Sequence, residues 1–132
     1  MRTTPFGGRY QPKNIGAIWI ETAAGQYVKT VKRWANRRLR YLTRYAAASG
    51  GDITDAVTGA TLTSHTTHTV TWNLTDRNRC EVPAGQYRVV MELTDQDAAG
   101  AYATFPFTKG TTPATTNPTA TAQFHDLVLD LH

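Results

Sequence analysis

The sequence has one cysteine among its 132 residues, Cys80, and this excludes an internal disulfide bond. Without a Cys-x-x-Cys pair, it also lacks the spacing of a zinc, thiol-redox or c-type haem site. No apolar run is long enough to span a membrane, and residues 1–8 contain no apolar segment typical of a signal peptide. A phosphate-binding glycine loop and a nucleophile elbow are absent as well. These absences predict a protein that is not an enzyme.

Charged residues are few, at 18% of the chain, and the net charge of +4 is unevenly distributed. Half of the 14 basic residues lie between Lys29 and Arg44, whereas no acidic residue occurs from Thr22 to Gly51. Apolar residues recur there at helical spacing and are followed by a pair of glycines, so we predict one inserted helix over about 32–48. A second stripe at helical spacing consists of Arg33, Arg37, Arg40 and Arg44.

The rest of the chain is typical of a β protein, with short apolar or alternating segments separated by turn residues. The predicted strands are 15–22, 26–31, 68–74, 86–94, 102–107 and 123–131. Their predicted core residues are Trp19, Val70, Trp72, Tyr87, Val89, Met91, Leu127 and Leu129. We expect a polar lead over 1–13 and an irregular Thr/Pro-rich loop over 108–121. The fold class is therefore mainly β, an immunoglobulin-like antiparallel β-sandwich with Greek-key connections, in a single domain over 1–132.

Five segments between Arg9 and Leu93 carry a resemblance to a known family. They are Arg9-Tyr10-x-Pro12-x-Asn14 through Glu21, Gly25-x-Tyr27-Val28-Lys29-Thr30 followed by Trp34, Asp55 to Thr61, His68 to Asn73, and Val82-Pro83-x-Gly85-x-Tyr87. Together they resemble a family of predicted secreted or periplasmic bacterial proteins of uncharacterised function. The same skeleton resembles the immunoglobulin-like repeat of flagellar hook-capping and cell-surface proteins. The resemblance implies a periplasmic or secreted location, although this chain shows no signal sequence.

One loop motif resembles a site of chemistry. The pattern Asp55-x-x-Thr58-Gly59-Ala60-Thr61 resembles the acceptor motif of proteins that carry flavin mononucleotide (FMN) covalently. In those proteins a dedicated flavin transferase joins the flavin phosphate to the hydroxyl of the last threonine. The resemblance implies that Thr61 is the attachment residue and that Gly59 allows close approach of the phosphate. Thr-Gly-Ala-Thr is also an ordinary loop composition, so a plain surface loop is the alternative.

His65 and His68 raise the question of a metal site. Residues three apart in a strand face opposite sides, so the two imidazoles converge only if His65 lies in a loop. With no cysteine and no acidic pair nearby, we predict no metal and expect His68 to be an inward residue, hydrogen-bonded beside Trp72. Cys80 is expected to be a free surface thiol.

The arginine stripe leaves three alternatives: nucleic acid, an acidic or polymeric partner, and solvent. The aromatic residues of the predicted helix fall on its apolar side, which disfavours base stacking and therefore nucleic acid. The sequence favours a non-enzymatic, extracytoplasmic module of the bacterial cell envelope, with an unknown protein or envelope polymer as its binding or assembly partner. The alternatives are a covalent FMN carrier modified at Thr61 and a polyanion-binding module that uses the stripe.

Overall fold

A computed structural model describes residues 1–4, 7–8, 13–35, 41–50, 52, 54, 56–96, 100–110, 114–116, 121, 123–125 and 129–131. Within these residues the fold is mainly β with one short helix, as predicted. The elements are β1 (Arg2–Thr3), β2 (Ile15–Thr22), β3 (Tyr27–Trp34), α1 (Thr43–Ser49), β4 (Val57–Gly59), β5 (Gly85–Thr94), β6 (Ala101–Lys109), β7 (Ala114–Thr116), β8 (Phe124–His125) and β9 (Leu129–Leu131).

An open five-stranded sheet in the order β4-β3-β2-β5-β6 organises the domain. Its neighbours are antiparallel except for β3 and β4, which run parallel. Two smaller sheets pair β1 with β8 and β7 with β9. The central strand β2 is the near-continuous apolar run of the sequence, and it is buried from Ile15 to Glu21. Such a run is typical of a strand that is covered on both faces.

Both faces of the sheet carry apolar clusters. The cluster between the sheet and α1 consists of Ile15, Ala17, Trp19, Ala35, Leu42, Tyr45 and Val90. The opposite face contains Ile18, Trp34, Met91, Leu93, Ala101, Ala103 and Phe124, and a neighbouring group of Ile20, Val28, Val31, Val82, Tyr87 and Phe107. This covering of both faces is consistent with a β-sandwich. Of the predicted core residues, Trp19, Tyr87 and Met91 are buried, whereas the side chains of Leu127 and Leu129 lie outside the described residues.

The helix is shorter than predicted, because Lys32 to Trp34 belong to strand β3 rather than to α1. The pairing with β2 shifts register twice, and the residues left without a partner are Val28 and Val31. An extra residue at each bulge turns the following side chain to the other side of the strand. Val28, Val31 and Trp34 consequently are all buried at a spacing of three, which imitates the period of a helix.

Residues 68–74 form no strand, so that prediction is wrong, although their alternation does mark the inward residues. His68 is buried, and Val70 and Trp72 pack half-buried against the sheet. The Trp72 ring lies edge-on to Tyr87, at 5.8 Å between ring centres, and its indole nitrogen donates to the Thr75 carbonyl at 2.8 Å. Residues 68–74 therefore pack against the sheet through their side chains, without forming a strand that pairs with it.

The chain ends also differ from the prediction. The expected strand over 123–131 is replaced by β8 and β9, which pair with different partners. The expected irregular loop over 108–121 contains the end of β6 and the whole of β7, whose β-branched threonines suit an extended backbone. The polar lead over 1–13 contains β1. Short two-residue and three-residue pairings of this kind leave little periodicity for sequence reasoning to detect.

A buried carboxylate from the sheet caps α1. Leu42 occupies the N-cap position and supplies no side-chain hydrogen bond. Instead, Glu92 of β5, which is fully buried, accepts from the backbone N–H of Tyr45 at 2.9 Å and of Arg44 at 3.2 Å. Burial raises the pKa of Glu92, and these two hydrogen bonds act in the opposite direction. One side chain therefore satisfies two helix N–H groups that the helix itself leaves without an acceptor.

Replacing Glu92 by alanine should lower the free energy of unfolding by about 2–4 kcal/mol, because two buried N–H groups lose their acceptor. Glu92→Gln keeps one acceptor oxygen and should lose less. Denaturant unfolding monitored by circular dichroism measures both effects. Glu81→Ala is the matched control, because Glu81 is an exposed carboxylate whose ion pair with Lys109 contributes little. Equal losses in Glu92→Ala and Glu81→Ala would contradict the capping role.

Candidate functional site

The Thr-Gly-Ala-Thr motif lies at an exposed edge of the main sheet. Strand β4 forms this edge, and the segment from Val57 to Ala60 is exposed to solvent. Thr61 is partly exposed, and its hydroxyl makes no hydrogen bond to the described residues. A Cβ atom added at Gly59 would meet nothing within 4 Å, so the space beside the motif is open. The structure thus brings Thr58, Gly59 and Thr61 together, whereas Asp55 lies outside the described residues.

The motif is fixed at its end by pairing with two neighbouring strands. Gly59 is the register partner of Trp34 in β3, and its carbonyl accepts from the N–H of Ala35 at 3.1 Å. Leu62 exchanges two backbone hydrogen bonds of 2.9 Å with Asn14, the residue before β2. Thr61 is therefore held where the chain crosses the end of β3.

Trp34 and Asn14 form the buried support under this crossing. The Trp34 indole nitrogen donates to the Asn14 side-chain oxygen at 2.9 Å, and both residues are buried. The ring lies over Gly16, where an added Cβ would be 2.2 Å from Trp34 Cζ2. Glycine at this position is required because the ring takes the place of a side chain.

The loop that precedes β4 is anchored to the other face of the sheet through Asp52. The Asp52 carbonyl accepts from the hydroxyls of Thr30 at 2.9 Å and Tyr45 at 3.2 Å. Its carboxylate accepts from the Tyr27 hydroxyl at 2.8 Å and from Thr54 at 2.8 Å. Burial is the main cause that raises the pKa of Tyr27, so this phenol stays protonated and can donate. The motif is consequently attached to the rigid sheet on both sides.

Two basic residues of β3 pair with the strand that carries the motif. Lys32 pairs with Val57 and Arg33 pairs with Thr58 in the parallel register. The Lys32 ammonium lies 5.8 Å from the centre of the Trp34 ring, and burial lowers its pKa. The edge therefore combines an accessible hydroxyl with positive charge, an arrangement that can accommodate a phosphate group.

A buried histidine lies against Trp34 on the same face. The His68 ring stacks on the indole at 4.0 Å between centres with an angle of 19°. His68 is only 3% exposed, and neither ring nitrogen has a hydrogen-bond partner. Burial, with a smaller contribution from Lys32, lowers its pKa to about 4. His68 is inward-facing as predicted, but the predicted hydrogen bond beside Trp72 is wrong, because the ring stacks on Trp34 and neither ring nitrogen has a partner.

His65 and His68 contact different residues. Its Nδ1 lies 2.9 Å from the Thr3 hydroxyl, and burial lowers its pKa. Within the part of the chain that the structure describes, no three histidine, cysteine, aspartate or glutamate side chains are placed to hold a metal ion. Cys80 is an exposed free cysteine, as expected.

The predicted arginine stripe does not exist as one face of a helix. Arg33 is part of β3, whereas Arg44 belongs to α1 and places its guanidinium 4.2 Å from the centre of the Tyr102 ring. Arg37 and Arg40 lie outside the described residues. The helical spacing of these four residues was misleading, because the first of them belongs to a bulged strand.

Sequence reasoning did not place Asn14, Lys32 and Trp34 next to the Thr-Gly-Ala-Thr motif. Lys32 was assigned to the helix, and the partnership of Asn14 with Leu62 joins residues 48 positions apart. The sequence did contain one signal that β3 extends to Trp34. The spacing of Val28 and Val31 is compatible with a strand that has two bulges as well as with a helix.

No helix among the described residues is long and apolar enough to cross a membrane. Residues 11–125 match the sequence model of a family described as "Predicted periplasmic protein (DUF2271)". Comparison with curated proteins and with solved structures found no match. The resemblance to a family of predicted periplasmic proteins is thereby confirmed, whereas the likeness to the immunoglobulin-like repeat of hook-capping proteins stays a prediction.

Proposed function

We propose a function from the premise that this chain belongs to DUF2271, a family of predicted periplasmic proteins. In this proposal the protein is a non-enzymatic, extracytoplasmic carrier that holds FMN covalently on Thr61. The observation that carries the proposal is the accessible Thr61 hydroxyl, in a motif resembling a flavin acceptor and fixed at the edge of a rigid sheet.

The local structure fits the needs of such a site. A transferase must reach the acceptor hydroxyl, and residues 57–60 before it are exposed. The phosphate must approach the backbone, and no atom lies within 4 Å of the position that a Cβ at Gly59 would occupy. The loop must also keep a fixed position. Backbone hydrogen bonds between Gly59 and Ala35 and between Leu62 and Asn14 hold it in place.

The attachment itself is a phosphoryl substitution at Thr61. The Thr61 Oγ1 atom attacks the flavin-side phosphorus of a flavin dinucleotide, with the transferase as catalyst. One phosphoanhydride P–O bond breaks, a nucleoside monophosphate leaves, and the hydroxyl proton passes to a base of the transferase or to solvent. The product is a phosphodiester with one negative charge on Thr61.

Bound FMN supplies reversible electron transfer, and the residues of this chain hold and orient it. Trp34 and Asn14 support the backbone below Thr61, and the anchored Asp52 keeps the preceding loop against the sheet. The partners in this proposal are a flavin transferase and redox proteins that dock near the β4 edge. The polyanion-binding alternative stays a prediction, since Arg33 and Arg44 belong to different elements and Arg37 and Arg40 lie outside the described residues.

Co-expression with a flavin transferase is expected to give a yellow protein whose intact mass exceeds that of the unmodified chain by one FMN less one water. A known carrier, labelled in the same host, is the positive control. A colourless protein of unmodified mass, under conditions that label the control, would overturn the carrier proposal. An envelope module with a binding or assembly role would then be the remaining candidate.

A further inference from the structure

We propose that the Lys32 ammonium group binds the phosphodiester at Thr61 and forms the anion subsite of the carrier. The inference rests on the proposed function and deepens it, because it names the residue that recognises the phosphate. Three features of the structure lead to it: the side of the sheet on which Lys32 lies, the direction of its side chain, and its lack of an acidic partner.

Lys32 lies on the same side of the sheet as Val57 and Gly59 of the motif region. In the parallel pairing, Lys32 is opposite Val57 and Trp34 is opposite Gly59. Register partners point to the same side, and residues two apart in a strand do so as well. Arg33, which pairs with Thr58, points to the other face and is the less suitable cation for Thr61.

The Lys32 side chain extends toward the end of β3 where Thr61 is held. Its ammonium nitrogen lies 5.8 Å from the centre of the Trp34 ring, two residues farther along the strand. Thr61 lies between Gly59, the partner of Trp34, and Leu62, the partner of Asn14. The Lys32 ammonium therefore lies near the end of β3 that the chain crosses at Thr61.

The charge of Lys32 is not offset by an acidic group. Within the described residues the ion pairs join Arg88 to Glu21 and Lys109 to Glu81, and none includes Lys32. Burial lowers the pKa of the Lys32 ammonium, so the folded protein disfavours its charged form. A phosphodiester beside the ammonium would favour that charged form. Its own negative charge would in turn be paired with the ammonium.

The first experiment needs no flavin. The pKa of the Lys32 ammonium is measured by NMR in isotopically labelled Thr61→Glu and Thr61→Gln proteins, with Lys32→Arg identifying the resonance. If the ammonium reaches residue 61, the pKa should be higher by about 0.5–2 in Thr61→Glu, as for opposite charges roughly 6 Å apart between bulk water and a protein surface. The same Lys32 pKa in both variants would show that the side chain does not reach this position and would overturn the inference.

The second experiment follows labelling by the transferase. Lys32→Gln should be labelled about three- to tenfold more slowly than wild type at low salt, and Lys32→Arg should recover most of the rate. Arg77→Gln is the charge-matched control, because Arg77 is exposed and lies by the opposite end of β3. Wild-type rates in Lys32→Gln overturn the role of Lys32 alone. Failure of the wild-type chain itself to take flavin overturns the proposed function.

Discussion

Replacing Thr61 by alanine is expected to abolish covalent flavin, because the variant lacks the oxygen atom to which the phosphorus would be joined. Thr58→Ala should only reduce labelling, since Thr58 lies in the exposed strand β4 and keeps its backbone pairing with Arg33. Thr61→Ser retains a hydroxyl and should be labelled. Intact-mass measurement and in-gel flavin fluorescence after co-expression with the transferase report each result directly.

The three variants also separate chemistry from folding. Thr61 is partly exposed and its hydroxyl has no partner among the described residues, so Thr61→Ala should unfold at the same denaturant concentration as wild type. A labelled Thr61→Ala protein would contradict attachment at this residue. An unlabelled Thr58→Ala protein together with a labelled Thr61→Ala protein would move the site to Thr58.

The sequence predicted the strands that have either a continuous apolar run or a regular alternation. Strand β2 has the predicted bounds, and β5 and β6 differ from their predictions by one or two residues at an end. In these strands local burial pattern and ladder pairing agree, so either one reveals the other. The pattern failed over 68–74, where side chains alternate inward while the backbone pairs with no strand of the main sheet.

The helix error has a different physical origin. Two bulges place Val28 and Val31 out of register with β2, and no single sequence records which residues a strand leaves unpaired. The partial exposure of Thr61 was predictable from the composition of its loop. The position of Lys32 beside the motif was not, because it depends on the parallel pairing of β3 with β4.

Acidification should destabilise the protein through His68. The folded-state pKa is about 4, against an ordinary value of 6.5 in the unfolded chain. Above about pH 6.5 the imidazole is neutral in both states and contributes nothing. As the pH falls toward 4, the unfolded chain binds a proton that the folded protein does not, so the free energy of unfolding decreases. At about 1.4 kcal/mol for each unit of pKa difference, the loss approaches about 3 kcal/mol.

His68→Phe isolates this effect, because phenylalanine does not titrate and can keep the stacking on Trp34. Other carboxylates and His65 also titrate in this range, but their contributions largely cancel when the two proteins are compared at each pH. Urea unfolding at several pH values between about 4 and 7.5 gives the difference. We expect His68→Phe to gain on wild type steadily as the pH falls below about 6.5, since the two buried ring nitrogens have no partner to lose. A constant difference across the range would mean that His68 is protonated as readily in the folded protein as in the unfolded chain, and hence that its ring is open to water.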